Sequence, residues 1–180
     1  MVTTYVALLY SIVLPDGKRL VMSDLKDMAK DLGLIEPRTI LATGNLVFES
    51  KATSVPKLEE KLEAAFAGKF GKSIPMIVRT AEDWLKLVRN NPFPEESERD
   101  GSLVAVRVQR NPLPASLMAE LEPLRMRNER LALVNGDIWF VSPNQLSGSR
   151  LYSALTPRKL GVGTFRNWNT TRKLGEMLVD

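Results

Sequence analysis

The order of the predicted strands and helices constrains the fold of this chain more than any single motif. Thr4–Tyr10 is an apolar run rich in β-forming residues, and apolar side chains then recur at helical spacing up to Leu32, where Gly33 follows as a stop. Two short β-like runs, Arg38–Ala42 and Asn45–Glu49, come next and predict a hairpin. The opening segment therefore has the pattern of a β-α-β-β unit.

A helix and a strand complete this first unit. Val55–Phe70 carries an apolar stripe at helical spacing with Ser54 as its expected cap, and Lys72–Thr80 alternates apolar and polar residues. The resulting order βαββαβ is the ferredoxin-like plan, in which two helices cover one face of an antiparallel sheet. We place this first subdomain at residues 1–79.

The pattern begins again in the second half of the chain. A strand is predicted from Ser102 to Val108 and a helix over Pro114–Leu124. Arg130–Val134 and Asp137–Val141 then flank Asn135-Gly136, a pair that tolerates the positive φ of a type I′ hairpin turn. Because βαββ occurs twice, we expect an α+β protein with two ferredoxin-like βαββ-type subdomains, each with an antiparallel sheet, in one compact unit.

A stretch of different composition joins the two halves. A helix opens at Thr80, with Asp83 placed for a capping box, and the polar, proline-bearing run Pro92–Gly101 follows. Carboxylates cluster in that run, but their spacing does not match a calcium-binding loop, and Arg99 lies among them. We interpret residues 80–101 as a helix followed by a solvated acidic linker.

Cysteine and histidine are both absent from the 180 residues. Their absence excludes disulfides, thiol nucleophiles, thiolate or imidazole metal sites and any Ser-His-Asp triad. Catalysis would have to use Lys, Tyr, Ser, Thr, carboxylates or a bound cofactor, and no such constellation can be assigned from spacing. We therefore predict no catalytic residue and no metal site, and the sequence identifies no cofactor.

The chain has no run of about 18 apolar residues, so neither a membrane span nor a membrane partner is predicted. The first residues lack the cationic lead of a signal peptide and continue into a strand. Together with the missing cysteines, this pattern favours a cytoplasmic protein.

The densest group of side chains able to bind a ligand is Gly163–Lys173, which reads G-T-F-R-N-W-N-T-T-R-K and belongs to the predicted second subdomain, residues 102–180. The last helix is predicted to start at Asn169 or Thr170 and to run to about Val179, and helix starts favour anions. A guanidinium binds phosphate at two points, and an indole stacks on a base. The candidate ligand-binding residues are Arg166, Asn167, Trp168, Asn169, Thr170, Thr171 and Lys173.

The same stretch also has a purely structural interpretation. In that interpretation Asn169 caps the helix, and Trp168 and Phe165 pack it onto the sheet. Arg166 would then pair with a carboxylate of the protein body. The sequence leaves both interpretations open.

A smaller candidate site is the triplet Thr43, Gly44 and Asn45. It would place a hydroxyl and an amide beside the loop that follows the first strand. The alternative is a hairpin corner in which Gly44 or Asn45 takes a positive φ.

Several segments of the chain resemble a known family, domain of unknown function 1697. Leu8-Leu9 leads to Ile12, Thr43–Phe48 reads T-G-N-L-V-F where the family has S-G-N-V-V-F, and Asn91–Phe93 also fits. Thr164–Thr170 is close to the family's T-x-R-N-W-x-T. The resemblance covers nearly the whole chain and implies two α+β subdomains of ferredoxin-like kind. It implies no activity, because the family has none established.

The loop after the first strand departs from the family's pattern. Where the family usually has L-L-R-G-I-N-V-G-G, residues Leu8–Asp16 read L-L-Y-S-I-V-L-P-D. Paired glycines would let backbone N–H groups approach an anion, whereas Pro15 removes a donor and Asp16 adds a negative charge. If the family binds a ligand through this loop, we expect this chain to do so differently or not at all.

The net charge of +4 and the isoelectric point of about 9.4 mildly favour an anionic partner. The leading hypothesis is therefore binding of a phosphate-bearing ligand, a nucleotide or a nucleic acid, at the start of the last helix. The alternative is a protein–protein interaction module or homodimer without a small-molecule site. An enzyme that uses Lys, Tyr and carboxylates is a third hypothesis, and the absence of a recognisable catalytic constellation counts against it.

Overall fold

Two compact units make up the part of the chain that the structure describes. The computed structural model describes residues 1–143 and 148–179. Unit 1 contains Met1–Lys86 together with the described residues from Leu174 onward, and unit 2 contains Leu87–Lys173. The sequence of unit 2 is therefore inserted into that of unit 1.

Unit 1 has the predicted βαββαβ order, followed by the beginning of a third helix. Its elements are β1 (Val2–Leu9), α1 (Met22–Asp31), β2 (Ile35–Thr39), β3 (Asn45–Lys51), α2 (Val55–Phe70), β4 (Met76–Thr80) and α3 (Ala81–Arg89). The four strands form an antiparallel sheet in the order β2-β3-β1-β4. The ferredoxin-like plan is confirmed for this half of the chain.

The core of unit 1 lies between one face of this sheet and the helices α1 and α2. Side chains alternate across a strand, so Tyr5, Ala7 and Leu9 of β1 share the face that joins this core. The helices add their apolar stripes, which supply Leu25, Met28 and Ala29 from α1 and Leu58, Leu62 and Phe66 from α2.

Both edge strands of this sheet are poorly suited to pairing with another strand. On β4 the backbone N–H of Met76 donates to Glu63 Oε1 at 2.8 Å. The backbone N–H of Val78 donates to Glu59 Oε1 at 3.0 Å. At the other edge, β2 contains a proline, Pro37, and its register against β3 shifts along the strand. At the β4 edge, carboxylates already occupy the outward N–H groups that another strand would bind. At the β2 edge, proline has no N–H group to donate, so both edges disfavour the addition of a strand.

Unit 2 contains a second four-stranded antiparallel sheet, which confirms the predicted repetition of the plan. Its strands lie in the order β6-β7-β5-β8. Its elements are α4 (Pro94–Asp100), β5 (Val104–Gln109), α5 (Leu117–Leu121), a 3₁₀ turn (Glu122–Leu124), β6 (Arg130–Val134), β7 (Asp137–Val141), α6 (Arg150–Ala154), α7 (Pro157–Leu160), β8 (Gly163–Asn167) and the first part of α8 (Trp168–Met177).

The turn between β6 and β7 is the predicted type I′ hairpin. Asn135 has φ 51° and Gly136 has φ 85°, and both flanking strands have the predicted bounds. A side chain at Gly136 would also meet Pro112, so glycine is required there for space as well as for conformation.

Several predicted elements of unit 2 differ from the structure. Within the acidic run after Pro92, where the sequence indicated no helix, residues Pro94–Asp100 form α4. Three local signals favour this helix: a proline at its first position, acidic residues in its first turn and a basic residue in its last turn. The predicted helix Pro114–Leu124 is shorter and ends in the 3₁₀ turn. Between β7 and β8, the described residues contain two short helices, α6 and α7.

The core of unit 2 lies on the face of its sheet that α5, α6 and α7 cover. Ile138 and Phe140 of β7 point to this face, and Phe165 of β8 packs at its margin. The helices contribute Leu121, Leu151 and Leu160, and Leu155, just after α6, adds a fourth aliphatic side chain. This packing fixes β8, the strand that leads directly into α8.

Candidate ligand site at the start of the last helix

The run that contains most of the candidate residues forms an edge strand and the first turn of a helix. β8 pairs with β5 in antiparallel register, with Arg166 opposite Val106 and Phe165 opposite Arg107. The sequence did not predict this strand. Its consequence is that Thr164 and Arg166 point to one face of the sheet, while Phe165 points to the core of unit 2.

A buried polar cluster on β5 binds the segment that leads into β8, and the sequence did not single it out. Arg107 is 1% exposed, donates to Gln109 Oε1 through Nη1 and donates to the carbonyl of Gly161 at 3.0 Å through Nη2. Gln109 Nε2 donates to the carbonyl of Leu160 at 2.9 Å. A Cβ at Gly163 would lie 2.5 Å from Gln109 Oε1 and 2.8 Å from Arg107 Cζ. Glycine at the start of β8 therefore makes room for the β5 side chains that bind the carbonyls of Leu160 and Gly161.

Arg166 lies inside unit 2, with only 7% of the residue exposed. Its Nη1 donates to Thr164 Oγ1 at 3.1 Å and to the carbonyl of Phe165 at 2.8 Å. Burial lowers the pKa of Arg166 to about 10, because desolvation disfavours the charged guanidinium. The structure thus gives this residue partners within its own strand.

Asn167, rather than Asn169, caps the last helix. Asn167 Oδ1 accepts a hydrogen bond from the backbone N–H of Thr170 at 3.0 Å, and Thr171 Oγ1 donates to the carbonyl of Asn167 at 2.9 Å. The prediction of Asn169 as the cap was wrong because β8 ends at Asn167, which brings the helix start forward to Trp168. Thr170 and Thr171, in the first turn of α8, are buried.

Trp168 packs against Trp139 of β7. The two rings lie 6.0 Å apart between centroids and are tilted by 49°. The backbone N–H of Trp168 donates to the carbonyl of Gly101 at 3.2 Å, and a Cβ at Gly101 would meet both Trp168 and Asn169. Glycine at position 101 therefore leaves room for the side chains of Trp168 and Asn169.

The candidate residues at the helix start differ sharply in exposure. Arg166, Thr170 and Thr171 are buried, and Asn167 and Trp168 are half-buried. Asn169 and Lys173 are exposed. Arg172, which is not among the candidate residues expected from the sequence, is also exposed, and its position one helical turn after Trp168 is the sequence signal for it.

The triplet Thr43, Gly44 and Asn45 belongs to unit 1 and forms the corner of the β2–β3 hairpin. Gly44 has φ 80°, and its carbonyl accepts the backbone N–H of Leu9 at 2.9 Å. Asn45 is fully buried, and its Nδ2 donates to the carbonyl of Ile40 at 3.1 Å and to Thr43 Oγ1 at 2.7 Å. Both amide hydrogens of Asn45 are therefore used inside the hairpin.

The diverged loop after β1 forms a small hairpin, residues 11–21, around Pro15, Asp16 and Gly17. The backbone N–H of Gly17 donates to the carbonyl of Leu14 at 2.9 Å, and that of Leu14 donates to the carbonyl of Lys18 at 2.9 Å. The N–H of Lys18 donates to Asp16 Oδ1 at 3.0 Å. The N–H groups that could face an anion thus have partners within the 11–21 hairpin itself.

Within residues 1–143 and 148–179, no group of three or more acidic side chains is arranged to hold a metal ion. The helices within them are too short or too polar to cross a membrane.

Comparison with known proteins gives the chain a family. One family model, described as a protein of unknown function (DUF1697), matches residues 2–139. The chain belongs to the DUF1697 family. The matched range includes the 11–21 hairpin and the triplet Thr43–Asn45, and it ends before β8 and α8. No curated protein matches this DUF1697 chain.

The fold of this DUF1697 chain is similar to that of a solved structure, a conserved bacterial protein from Streptococcus pneumoniae. The two sequences are 25% identical, the TM-score is 0.77, and the superposition covers 99% of each chain. The α+β architecture with two similar subdomains is therefore shared between them.

Proposed function

We propose that the protein binds a phosphate-bearing ligand through one half-buried and three exposed side chains at the start of α8. These side chains, called the α8 surface, are Trp168, Asn169, Arg172 and Lys173. The surface is narrower than the set expected from the sequence, since Arg166, Thr170 and Thr171 are buried. Thr43, Gly44 and Asn45 are not included, because the bonds of Asn45 serve the hairpin corner.

The observation that carries this proposal is the combination of an indole with two exposed cations over little more than one helical turn. Asn169, Arg172 and Lys173 are three and four residues apart, a spacing that places them on one face of a helix. A guanidinium and an ammonium neutralise phosphate, while a half-buried indole offers its remaining surface to a base. These groups together favour a nucleotide or a single-stranded nucleic acid over inorganic phosphate.

Calorimetric titration tests the proposal with adenosine monophosphate, adenosine triphosphate and a short single-stranded oligonucleotide. We expect binding that weakens as salt rises, because phosphate contacts release counterions. The double substitution Arg172→Gln/Lys173→Gln should weaken binding about tenfold or more, since each lost charge-assisted bond contributes about 1.5–3 kcal/mol.

The matched control is Lys57→Gln/Lys86→Gln, which removes the same charge from exposed helix positions elsewhere. It should bind like the wild type. Absence of binding, or an equal loss in both double variants, would show that the α8 surface is not the site.

The 11–21 hairpin favours a second function, binding of another copy of the chain. Val13 is bridged to Arg19 across the hairpin, and it is 45% exposed while Ile12 and Leu14 pack toward the core of unit 1. Val21 is 56% exposed and Tyr10 is 45% exposed. Exposed apolar side chains grouped on one short segment are typical of interaction surfaces.

Light scattering over a concentration series tests self-association. The mass should rise toward that of a dimer, and Val13→Asp/Val21→Asp should hold the protein as a monomer because it would bury charge in the interface. Val179→Asp, at a residue that is 70% exposed, is the control and should leave the dimer intact. A monomer at every concentration would exclude this function.

A further inference from the structure

A cavity of about 230 Å³ lies in unit 2 beside α4, and none of the residues that line it belongs to the α8 surface. Arg130 is the first residue of β6 and Val141 the last of β7, and the two are paired in register, so their side chains share one face of the sheet. Both line the cavity, together with residues of α4. The walls are therefore built on a helix and on paired strands.

The helix supplies three charged groups to this cavity. Glu96, Arg99 and Asp100 are three and four residues apart, so α4 presents them on one side. With Arg130 opposite, the lining holds two guanidinium groups and two carboxylates. A cavity with this charge balance is unsuited to a simple anion or a simple cation.

Arg130 is held in a defined orientation at the cavity wall. Its Nη1 forms an ion pair with Glu96 Oε1. Its guanidinium carbon lies 4.8 Å from the centre of the Phe93 ring, a cation–π contact. A guanidinium carries five N–H donors, so the pair with Glu96 leaves donors for a ligand carboxylate.

Asp100 supplies the second carboxylate. Its Oδ1 accepts hydrogen bonds from Ser102 Oγ at 2.6 Å and from Ser102 N–H at 3.0 Å. These bonds, from the hydroxyl first and the backbone second, lower the pKa of Asp100, so the group is ionised at neutral pH. Both bonds use Oδ1, and Oδ2 is the oxygen that can accept from a ligand ammonium.

The rest of the lining is mostly apolar, with Leu103, Val141 and Pro143 beside the amide of Asn128. Leu103 is 36% exposed. The volume is below the range of roughly 300–1,000 Å³ typical of drug-sized ligands. The size fits a molecule with one short aliphatic group and two charged ends.

We propose that this cavity binds a small zwitterion of the amino-acid class. The ligand carboxylate lies between Arg99 and Arg130, and its ammonium lies at Asp100. An aliphatic side chain covers Leu103 and Val141. This site uses residues different from those of the α8 surface, so its ligand is tested separately.

Calorimetric titration of the wild-type protein with three probes tests the charge requirement. L-leucine carries both charges, leucinamide lacks the carboxylate, and isocaproate lacks the ammonium. We expect L-leucine to bind. Each analogue should bind at least about tenfold more weakly, because it lacks one charge-assisted interaction. Equal affinity for L-leucine and isocaproate would reduce the cavity to an anion site and overturn the proposal.

Two substitutions locate the binding, and thermal unfolding checks that each variant is folded. Arg99→Gln and Asp100→Asn should each weaken L-leucine about tenfold, and the asparagine retains an oxygen for Ser102. Arg89→Gln, an exposed residue outside the cavity, is the control and should not change the affinity. Retained binding in both variants, or no binding of L-leucine to the wild type, overturns the proposal.

The double variant Arg172→Gln/Lys173→Gln separates this inference from the proposed function. It should lose nucleotide binding and keep L-leucine binding. Loss of both ligands in that variant would contradict the independence of the two sites.

Discussion

The guanidinium of Arg166 lies in the interior of unit 2 and donates to groups of its own strand, Thr164 and Phe165. Burial lowers its pKa to about 10, so the unfolded chain holds this proton more tightly than the folded chain does. The charged form therefore costs stability at neutral pH. That cost diminishes as the pH rises through the folded-state pKa toward the higher unfolded-state value.

This linkage predicts a pH-dependent difference between the wild type and Arg166→Met. Other titrating groups are common to both proteins, so the difference in their free energies of unfolding isolates Arg166. Between about pH 9 and about pH 11 that difference should shift in favour of the wild type by about 1 kcal/mol. Urea unfolding measured across this range checks the shift, and parallel pH profiles would contradict it.

Residue type alone could not separate ligand-binding from structural roles. Asn45, Arg166 and Thr171 belong to types that are mostly exposed, so the sequence placed them among binding candidates. All three are buried. Their burial follows from strand register and helix start, which depend on pairing with β1 and β5 rather than on neighbouring residues.

Among the elements, the edge strand β4 is protected by a helix rather than by its own sequence. Glu59 and Glu63 lie one helical turn apart on α2 and accept hydrogen bonds from alternate N–H groups of β4. This arrangement satisfies the outward-facing backbone and prevents pairing with a strand of another molecule. It weighs against self-association through this edge.

Glu59→Ala should destabilise the protein by about 2 kcal/mol, because it leaves the buried N–H of Val78 without this acceptor. Urea unfolding measures the loss, and Glu59→Gln should recover part of it through the amide oxygen. The neighbouring Glu60 is exposed, and Glu60→Ala should change stability by less than about 0.5 kcal/mol. Equal effects at the two positions would show that the hydrogen bond to β4 contributes little.

Elements with strong local signals were predictable, and those that depend on distant partners were not. The Asn135-Gly136 turn and α2 have the predicted positions because turn chemistry and helical periodicity are local. β8 was missed because it runs into α8 without an intervening turn residue. Its strand conformation is established by pairing with β5, a partner more than fifty residues earlier in the chain.

At the scale of the whole molecule, the repeated βαββ order could be predicted from the sequence, because the strands of each sheet come from one continuous half of the chain. What the order could not show is that unit 1 takes its last described residues from the far end of the chain. Arg38 on β2 and Met177 on α8 are 139 positions apart, and Nη2 of Arg38 donates to the carbonyl of Met177 at 3.2 Å. A sequence pattern of neighbouring residues cannot predict a contact over this separation.

The insertion of unit 2 within unit 1 has a consequence for synthesis. A chain leaves the ribosome from its N-terminus, and domains form as their residues emerge. Unit 2 is fully emerged when Lys173 appears, whereas unit 1 still lacks the carbonyl that Arg38 binds. All residues of unit 2 are therefore synthesised before the last described residues of unit 1. The sheet of unit 2 can form before unit 1 has received its residues from α8.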